Sequence, residues 1–193
     1  MYQKRNIELA IGGLYLSGYK KEFYLREISK RTKMPLKTTQ NAVAIHEQNN
    51  ILKSTTVGKN KYFRLNLENL HTKFYLMQSE IYKTALFLNK FSIFKTFLKG
   101  VKTNDPIILF GSFAKFTADR DSDLDLLVIS KANRNPLPFH LLPYKIHEIK
   151  LSEAAFIKAL EKQETLLKEI EENHVVLNNH SFYVDNMWVY YGK

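Results

Sequence analysis

With 193 residues and 45% hydrophobic content, the chain is long enough for one or two compact domains with a real core. The absence of cysteine excludes disulfides and thiolate metal sites and fits a cytoplasmic, reducing location; no run of about 18 apolar residues offers a membrane span, and the polar Met1 to Arg5 opening leads into no signal-like apolar stretch. The formal net charge of +10 is uneven: residues 1–68 hold 13 Lys/Arg and 5 Asp/Glu, a net of +8, which argues for a polyanionic partner, nucleic acid first, at the front of the chain.

Apolar residues at Ile7, Ala10, Ile11, Leu14 and Tyr15 have helical spacing, predicting a first helix over 7–17. A second short helix is expected over Tyr24 to Arg31, with Ile28 inside and Glu27 and Lys30 outside. Pro35 suits a first helical turn, where its missing N–H has no partner, so a third helix runs from Leu36 to about Asn49. Asn49-Asn50 ends it, because Asn tolerates the left-handed conformation. Two β-like runs follow, Ile51 to Thr56 and Lys61 to Leu67, joined by a turn at Val57-Gly58-Lys59-Asn60.

Three helices followed by a β-hairpin, with basic residues in and near the hairpin, resemble the winged helix-turn-helix family over residues 4–67. Members usually carry Gly where Asn50 stands. The resemblance implies that the third helix enters the major groove and the wing touches the backbone. By position, Lys37, Thr38, Gln40 and Asn41 would then face DNA, and Lys59, Lys61 and Arg64 would contact phosphates. A protein-interaction module is the other use such a fold serves.

Residues 69–99 carry Phe74, Met77, Ile81, Ala85, Leu88, Phe91 and Phe94 at spacings of three and four, which predicts one long helix whose apolar stripe is core or a dimer seam. A homodimer is one expectation that follows. Beyond Pro106 the pattern turns to short apolar runs: strands at Ile107 to Phe110 and Leu124 to Ile129, and a half-buried strand at Ile146 to Leu151. A helix is expected over Ser152 to Asn173 with Ser152 as N-cap. His174 to Leu177 and Phe182 to Tyr191 are apolar enough for further strands or a closing helix. The division that results is 1–68, 69–100 as a linking or dimerisation helix, and 101–193.

The chemistry sits between the first two of these strands. Gly111 lets the chain turn sharply after a buried strand and approach a ligand closely. Ser112 follows where a helix would begin, so its hydroxyl and the nearby N–H groups could hold an anion. Asp123 and Asp125 stand two apart on a strand and therefore share a face. Two carboxylates held that close favour a cation between them, and oxygen ligands beside a phosphate favour Mg²⁺, with Mn²⁺ as a substitute.

Gly111-Ser112, Ala114-Lys115-Phe116 and Ser122-Asp123-Leu124-Asp125-Leu126 are similar to the signature of the DNA polymerase beta nucleotidyltransferase superfamily, in its minimal prokaryotic and archaeal form. The resemblance covers residues 106–151 best. It implies a mixed α+β chain overall, with an N-terminal winged helix, a long linking helix and a C-terminal α/β domain on a mixed sheet. It also implies transfer of a nucleoside monophosphate from an NTP to a hydroxyl, with Gly111, Ser112 and Lys115 on the nucleotide and Asp123 and Asp125 on metal. The family adds a third carboxylate on a later strand, for which Glu148 is the candidate as metal ligand and general base; His147 falls on the opposite face from it and is read as structural. Lys115 stands for the usual Arg and loses its bidentate fork, and Phe116 stands for the usual Gly. Asp119 and Asp121 are read as solvated or capping. Three readings remain open: an enzyme guided by a DNA-binding module, a winged-helix regulator whose second domain only binds nucleotide or a partner, and one half of a toxin–antitoxin pair acting on a protein acceptor of the helical HEPN type.

Overall fold

The computed structural model of the chain describes residues 6–130 and 136–192; the Met1 to Arg5 opening lies outside them. Its contacts divide into two compact units, Met1–Ser79 with Tyr191–Lys193, and Glu80–Tyr190. No described helix is long and apolar enough to cross a membrane.

In the first unit α1 (Ile7–Tyr15) starts at Asn6, whose side-chain oxygen accepts from the Leu9 N–H at 3.1 Å. Then come β1 (Glu22–Tyr24), α2 (Leu25–Thr32), α3 (Leu36–Gln48), β2 (Leu52–Val57) and β3 (Asn60–Leu65). The three strands form an antiparallel sheet in the order β1-β3-β2. β1 is an addition to the expected elements; three residues are too few to show alternation, although Phe23 is buried between exposed Glu22 and Tyr24. Ile11, Tyr15, Ile28, Val43, Leu52 and Phe63 are buried, and the Tyr15 hydroxyl donates to the Phe63 carbonyl at 2.9 Å. Asn50 takes φ +55° after α3, and Gly58 takes φ +60° in the hairpin turn.

The expected single helix over 69–99 is two helices, α4 (Leu70–Lys90) and α5 (Ile93–Gly100). The break has a packing cause. Seven residues along one straight helix would separate Phe87 and Phe94 by about 10.5 Å. The turn at Phe91-Ser92 instead brings their rings to 4.8 Å, and both are fully buried. The apolar stripe of α4 also faces the other way from the core reading: Phe74 is 57% and Ile81 50% exposed. The buried face carries Thr72, Ser79, Glu80 and Thr84 beside Tyr75, Leu76 and Phe87. Those polar groups have internal partners, such as Thr84 Oγ1 donating to the Val176 carbonyl at 2.7 Å, so at Phe74 and Ile81 the stripe is not core, and the dimer-seam expectation is the one that stands.

The second unit is built on a four-stranded sheet in the order β6-β5-β4-β7: β4 (Ile107–Phe110), β5 (Leu124–Ile129), β6 (Ile146–Leu151) and β7 (Val175–Asn178). β5 and β6 are parallel and the other pairs antiparallel, so the sheet is mixed. One face packs Ile107, Leu109, Leu124, Leu126 and Val128 against Phe87, Phe94, Phe97 and Phe113. Ile108, Leu127, Ile129 and Val176 alternate to the other face and are equally buried. The helix expected over 152–173 is also broken, into α7 (Glu153–Glu161) and α8 (Thr165–Glu172), because Gln163 adopts φ +52° and its N–H turns back to the Leu160 carbonyl at 3.1 Å. Residues 182–191 belong to a helix, α9 (His180–Tyr191), capped by Asn179, whose side-chain oxygen accepts from the Phe182 N–H at 3.2 Å.

Candidate active site

β4 is buried at all four residues and ends at Phe110, from which the chain enters the short helix α6 (Gly111–Ala114). Gly111 has φ +68°, and a Cβ built there would overlap the carboxylate of Asp125. Both facts demand glycine: the backbone is left-handed and it lies directly against an acidic side chain. Phe113 anchors the turn in the core, its ring 5.3 Å from Phe91 and 4.8 Å from Tyr144. Ser112 is held half-buried at the site, its carbonyl accepting from the Thr117 N–H at 3.1 Å.

Asp123 and Asp125 are brought to one face, as two-residue spacing on β5 requires, with side chains 39% and 29% exposed. The loop before them is closed by Asp119, whose carboxylate accepts from the Ser122 hydroxyl at 2.7 Å and from the Asp121 N–H at 3.2 Å. The Ser122 hydroxyl holds the Asp119 carboxyl below its ordinary range, as a turn-forming acceptor rather than a ligand.

The third position is a correction. β5 and β6 run parallel with Asp125 opposite His147 and Leu126 opposite Glu148. Glu148 therefore shares the face of buried Leu126, turned away from the aspartates, and its Oε2 lies 3.1 Å from Lys150 Nζ. His147 takes the face assigned to Glu148: its Nδ1 is 3.4 Å from Asp125 Oδ1 and its Nε2 3.8 Å from Asp123 Oδ2. Lys145, one step earlier on the same side, puts Nζ 3.3 Å from Asp123 Oδ2. The sequence preference for a carboxylate chose the wrong parity; the register with β5, which decides it, lies between strands and not within one. Among the described residues no trio of His, Cys, Asp or Glu is already gathered as a metal-binding set.

Lys115 caps α6 with its side chain exposed beside the turn. Phe116 has φ +61°, a conformation suited to glycine and strained for a bulky residue. Its ring compensates, lying 6.1 Å from Phe87 and 6.4 Å from Phe91, while Lys90 Nζ donates to its carbonyl and sits 5.8 Å from the ring. Phe116→Gly removes both strain and ring, whereas Phe116→Ala removes only the ring. The glycine variant should therefore be the more stable of the two by about 1 kcal/mol in urea unfolding; equal stabilities would mean that the backbone strain is not real.

In the first unit, Lys37, Gln40 and Asn41 are exposed along α3, and Thr38 is half-buried beside them. Lys59 is exposed in the hairpin turn. Lys61 points to the α3 side of the sheet and pairs with Glu47 at 2.8 Å. Arg64 does not join them. Cross-strand register sets it with Glu22 and Lys53 on the opposite sheet face, where the three line a cleft of about 250 Å³.

No curated protein and no solved structure matches the chain. The family model described as Polymerase beta, Nucleotidyltransferase matches residues 94–182, the segment that spans β4, α6, β5 and β6. Residues 94–182 are thus similar to nucleotidyltransferase domains of the polymerase beta type.

Proposed function

We propose that the protein transfers a nucleoside monophosphate from an NTP to a hydroxyl acceptor at the site formed by Gly111, Ser112, Asp123 and Asp125. The observation that carries this reading is the Gly111 backbone lying against the Asp125 carboxylate, which sets the turn and an acidic pair side by side. The donor set suits a divalent cation: two carboxylates on one strand face, both partly open to solvent. Asp123 and Asp125 would hold it, and it would offset the negative charge that gathers on the phosphates. The Ser112 hydroxyl and the N–H groups of the turn hold the triphosphate, and Lys115 adds a positive charge beside it. In the reaction the acceptor oxygen bonds to the α-phosphorus, the bond to pyrophosphate breaks, and the acceptor's proton passes to a basic oxygen at the site.

The first unit, with three helices, a β-hairpin and the exposed Lys37, Gln40, Asn41 and Lys59, would act as a winged helix and bring the domain to DNA through backbone contacts that are strong and salt-dependent. A second reading is favoured by His147 and Lys145 standing where a third carboxylate would serve: a DNA-bound regulator whose second domain binds nucleotide without turnover. A protein acceptor, including a helical toxin partner silenced by nucleotidylation, falls within the first reading.

The experiment is incubation with labelled ATP, CTP, GTP or UTP and Mg²⁺, beside an Asp123→Ala/Asp125→Ala variant, following label on protein and on added nucleic acid. Transfer that disappears in the variant is the expected result. Nucleotide binding without transfer would select the regulator, and no binding would overturn the site.

A further inference from the structure

We propose that the outward face of the sheet in the first unit is a stacking platform for single-stranded nucleic acid, separate from the surface that α3 would offer a duplex. The sheet is covered on one side only. Phe23, Leu52, Phe63 and Leu65 turn inward and are buried. Strand alternation sends Tyr24, Tyr62 and Arg64 outward, and the register sets Tyr24 and Thr55 on either side of Tyr62. Tyr24 is 36% exposed, and Tyr62 is half-buried beside it. Their rings meet edge to face with centroids 5.9 Å apart. That contact limits the rotamers of both rings, so little ordering is lost when a base stacks on them.

Positive charge stands at both ends of this row. Arg64, two residues from Tyr62 on β3, and Lys53 across from it hold one end, and exposed Lys59 in the hairpin turn holds the other. Arg64 and Lys53 also line the cleft of about 250 Å³, where a phosphate would meet a guanidinium fork and an ammonium together. Their present partners are weak competitors: Glu22 is 4.0 Å from Arg64 Nε, and Glu68, which pairs with Lys53, is itself exposed. The net charge of +8 over residues 1–68 favours a polyanion on this face. The aromatic pair decides which polyanion. In a duplex the base faces are stacked on one another, and only edges and phosphates are offered. A single strand offers the base faces themselves, and a tyrosine can stack on any of them whatever the sequence. Two outward tyrosines between cations therefore suit an unpaired strand, RNA or DNA. The inference requires neither nucleotidyl transfer nor duplex binding.

The test is fluorescence anisotropy of the full chain with labelled oligo(dT), oligo(U) and a mixed-sequence duplex at matched salt. Both single strands should bind. Tyr62→Leu and Tyr24→Leu keep apolar bulk but remove a stacking face, and each should weaken single-strand binding about tenfold while duplex binding stays within about twofold. Tyr62→Phe keeps the ring and should bind as the parent does. Arg64→Gln should lower the slope of log affinity against log salt by about one for the single strands. These side chains lie on an open sheet face, so the variants should fold, which unfolding curves check. A Lys37→Ala/Asn41→Ala variant of α3 should leave single-strand binding unchanged. Unaltered single-strand affinity in both leucine variants would overturn the inference, as would a parent that binds no single strand. Single-strand binding lost in the α3 variant but kept in the leucine variants would also overturn it, since the strand would then lie on α3. Failure of the duplex reading has a separate mark: no duplex binding, or duplex binding indifferent to the α3 variant, with the tyrosine effect intact.

Discussion

Gly111→Ala is expected to lower nucleotidyl transfer about a hundredfold while leaving the protein folded. Two costs arise, and they differ in kind. Placing a Cβ on a residue at φ +68° costs about 1–2 kcal/mol, which a domain with a core of this size survives. The second cost is local. The added methyl would overlap the Asp125 carboxylate, so either Asp125 rotates away or β4 and β5 separate at Phe110 and Asp125, their last paired residues. Both strands are buried on either side of that pair, so the side chain is what moves. A shift of about 1 Å in a group that aligns the reacting phosphate is enough for the loss stated. Rates for Gly111→Ala and the parent, measured beside their unfolding curves, check it. Wild-type transfer by the alanine variant would show that Asp125 has no role at the reacting centre.

The parts of this site that could be read from the chain are those fixed by local chemistry. Gly111, Ser112 and the same-face pair Asp123 and Asp125 follow from one turn and one strand, and the strand bounds 107–110, 124–129 and 146–151 follow from short apolar or alternating runs. Glu148 and His147 were exchanged because their roles depend on how β6 is laid against β5, a relation that a single strand's pattern does not contain. Arg64 parts from Lys61 for the same reason: in the antiparallel sheet it sits opposite Glu22 and Lys53, while Lys61 alternates to the α3 side. The stripe of α4, read as core or a dimer seam, is a different case. Its exposed face is apolar at Phe74 and Ile81, and its buried face is polar at Ser79, Glu80 and Thr84: the Ser79 hydroxyl donates to the Tyr75 carbonyl one turn back, and partners distant in sequence satisfy Glu80 and Thr84.

Glu80→Ala is expected to destabilise the second unit by about 3–5 kcal/mol. Glu80 on α4 and His174 before β7 are both fully buried, with Glu80 Oε1 2.8 Å from His174 Nε2. The other ring nitrogen, Nδ1, lies 2.8 Å from the Ile170 carbonyl, which can only accept. Both ring nitrogens are therefore engaged by buried partners, Nε2 by the Glu80 carboxyl and Nδ1 by the Ile170 carbonyl. Burial pushes the Glu80 carboxyl up, but the charge and hydrogen bond of His174 outweigh it and leave it below its ordinary range. Removing the carboxyl leaves the buried His174 Nε2 without its partner and opens a cavity beside it, so the loss exceeds that of an ordinary hydrogen bond. His174→Ala in the Glu80→Ala background should then cost far less than it does alone, and additive costs would refute the pairing. The pH dependence follows in sign. The stabilisation by Glu80 is present above the ordinary carboxyl value of about 4.3 and is lost as pH falls through the lower folded value. His180, whose Nε2 lies 3.0 Å from Thr84 Oγ1, is lowered by burial, so the unfolded chain takes up that proton first and stability declines as pH drops below about 6.5. Unfolding measured across this range should therefore show two acid steps in the parent, with the one nearer pH 4 reduced in Glu80→Ala to what Asp119 and the other lowered carboxyls contribute.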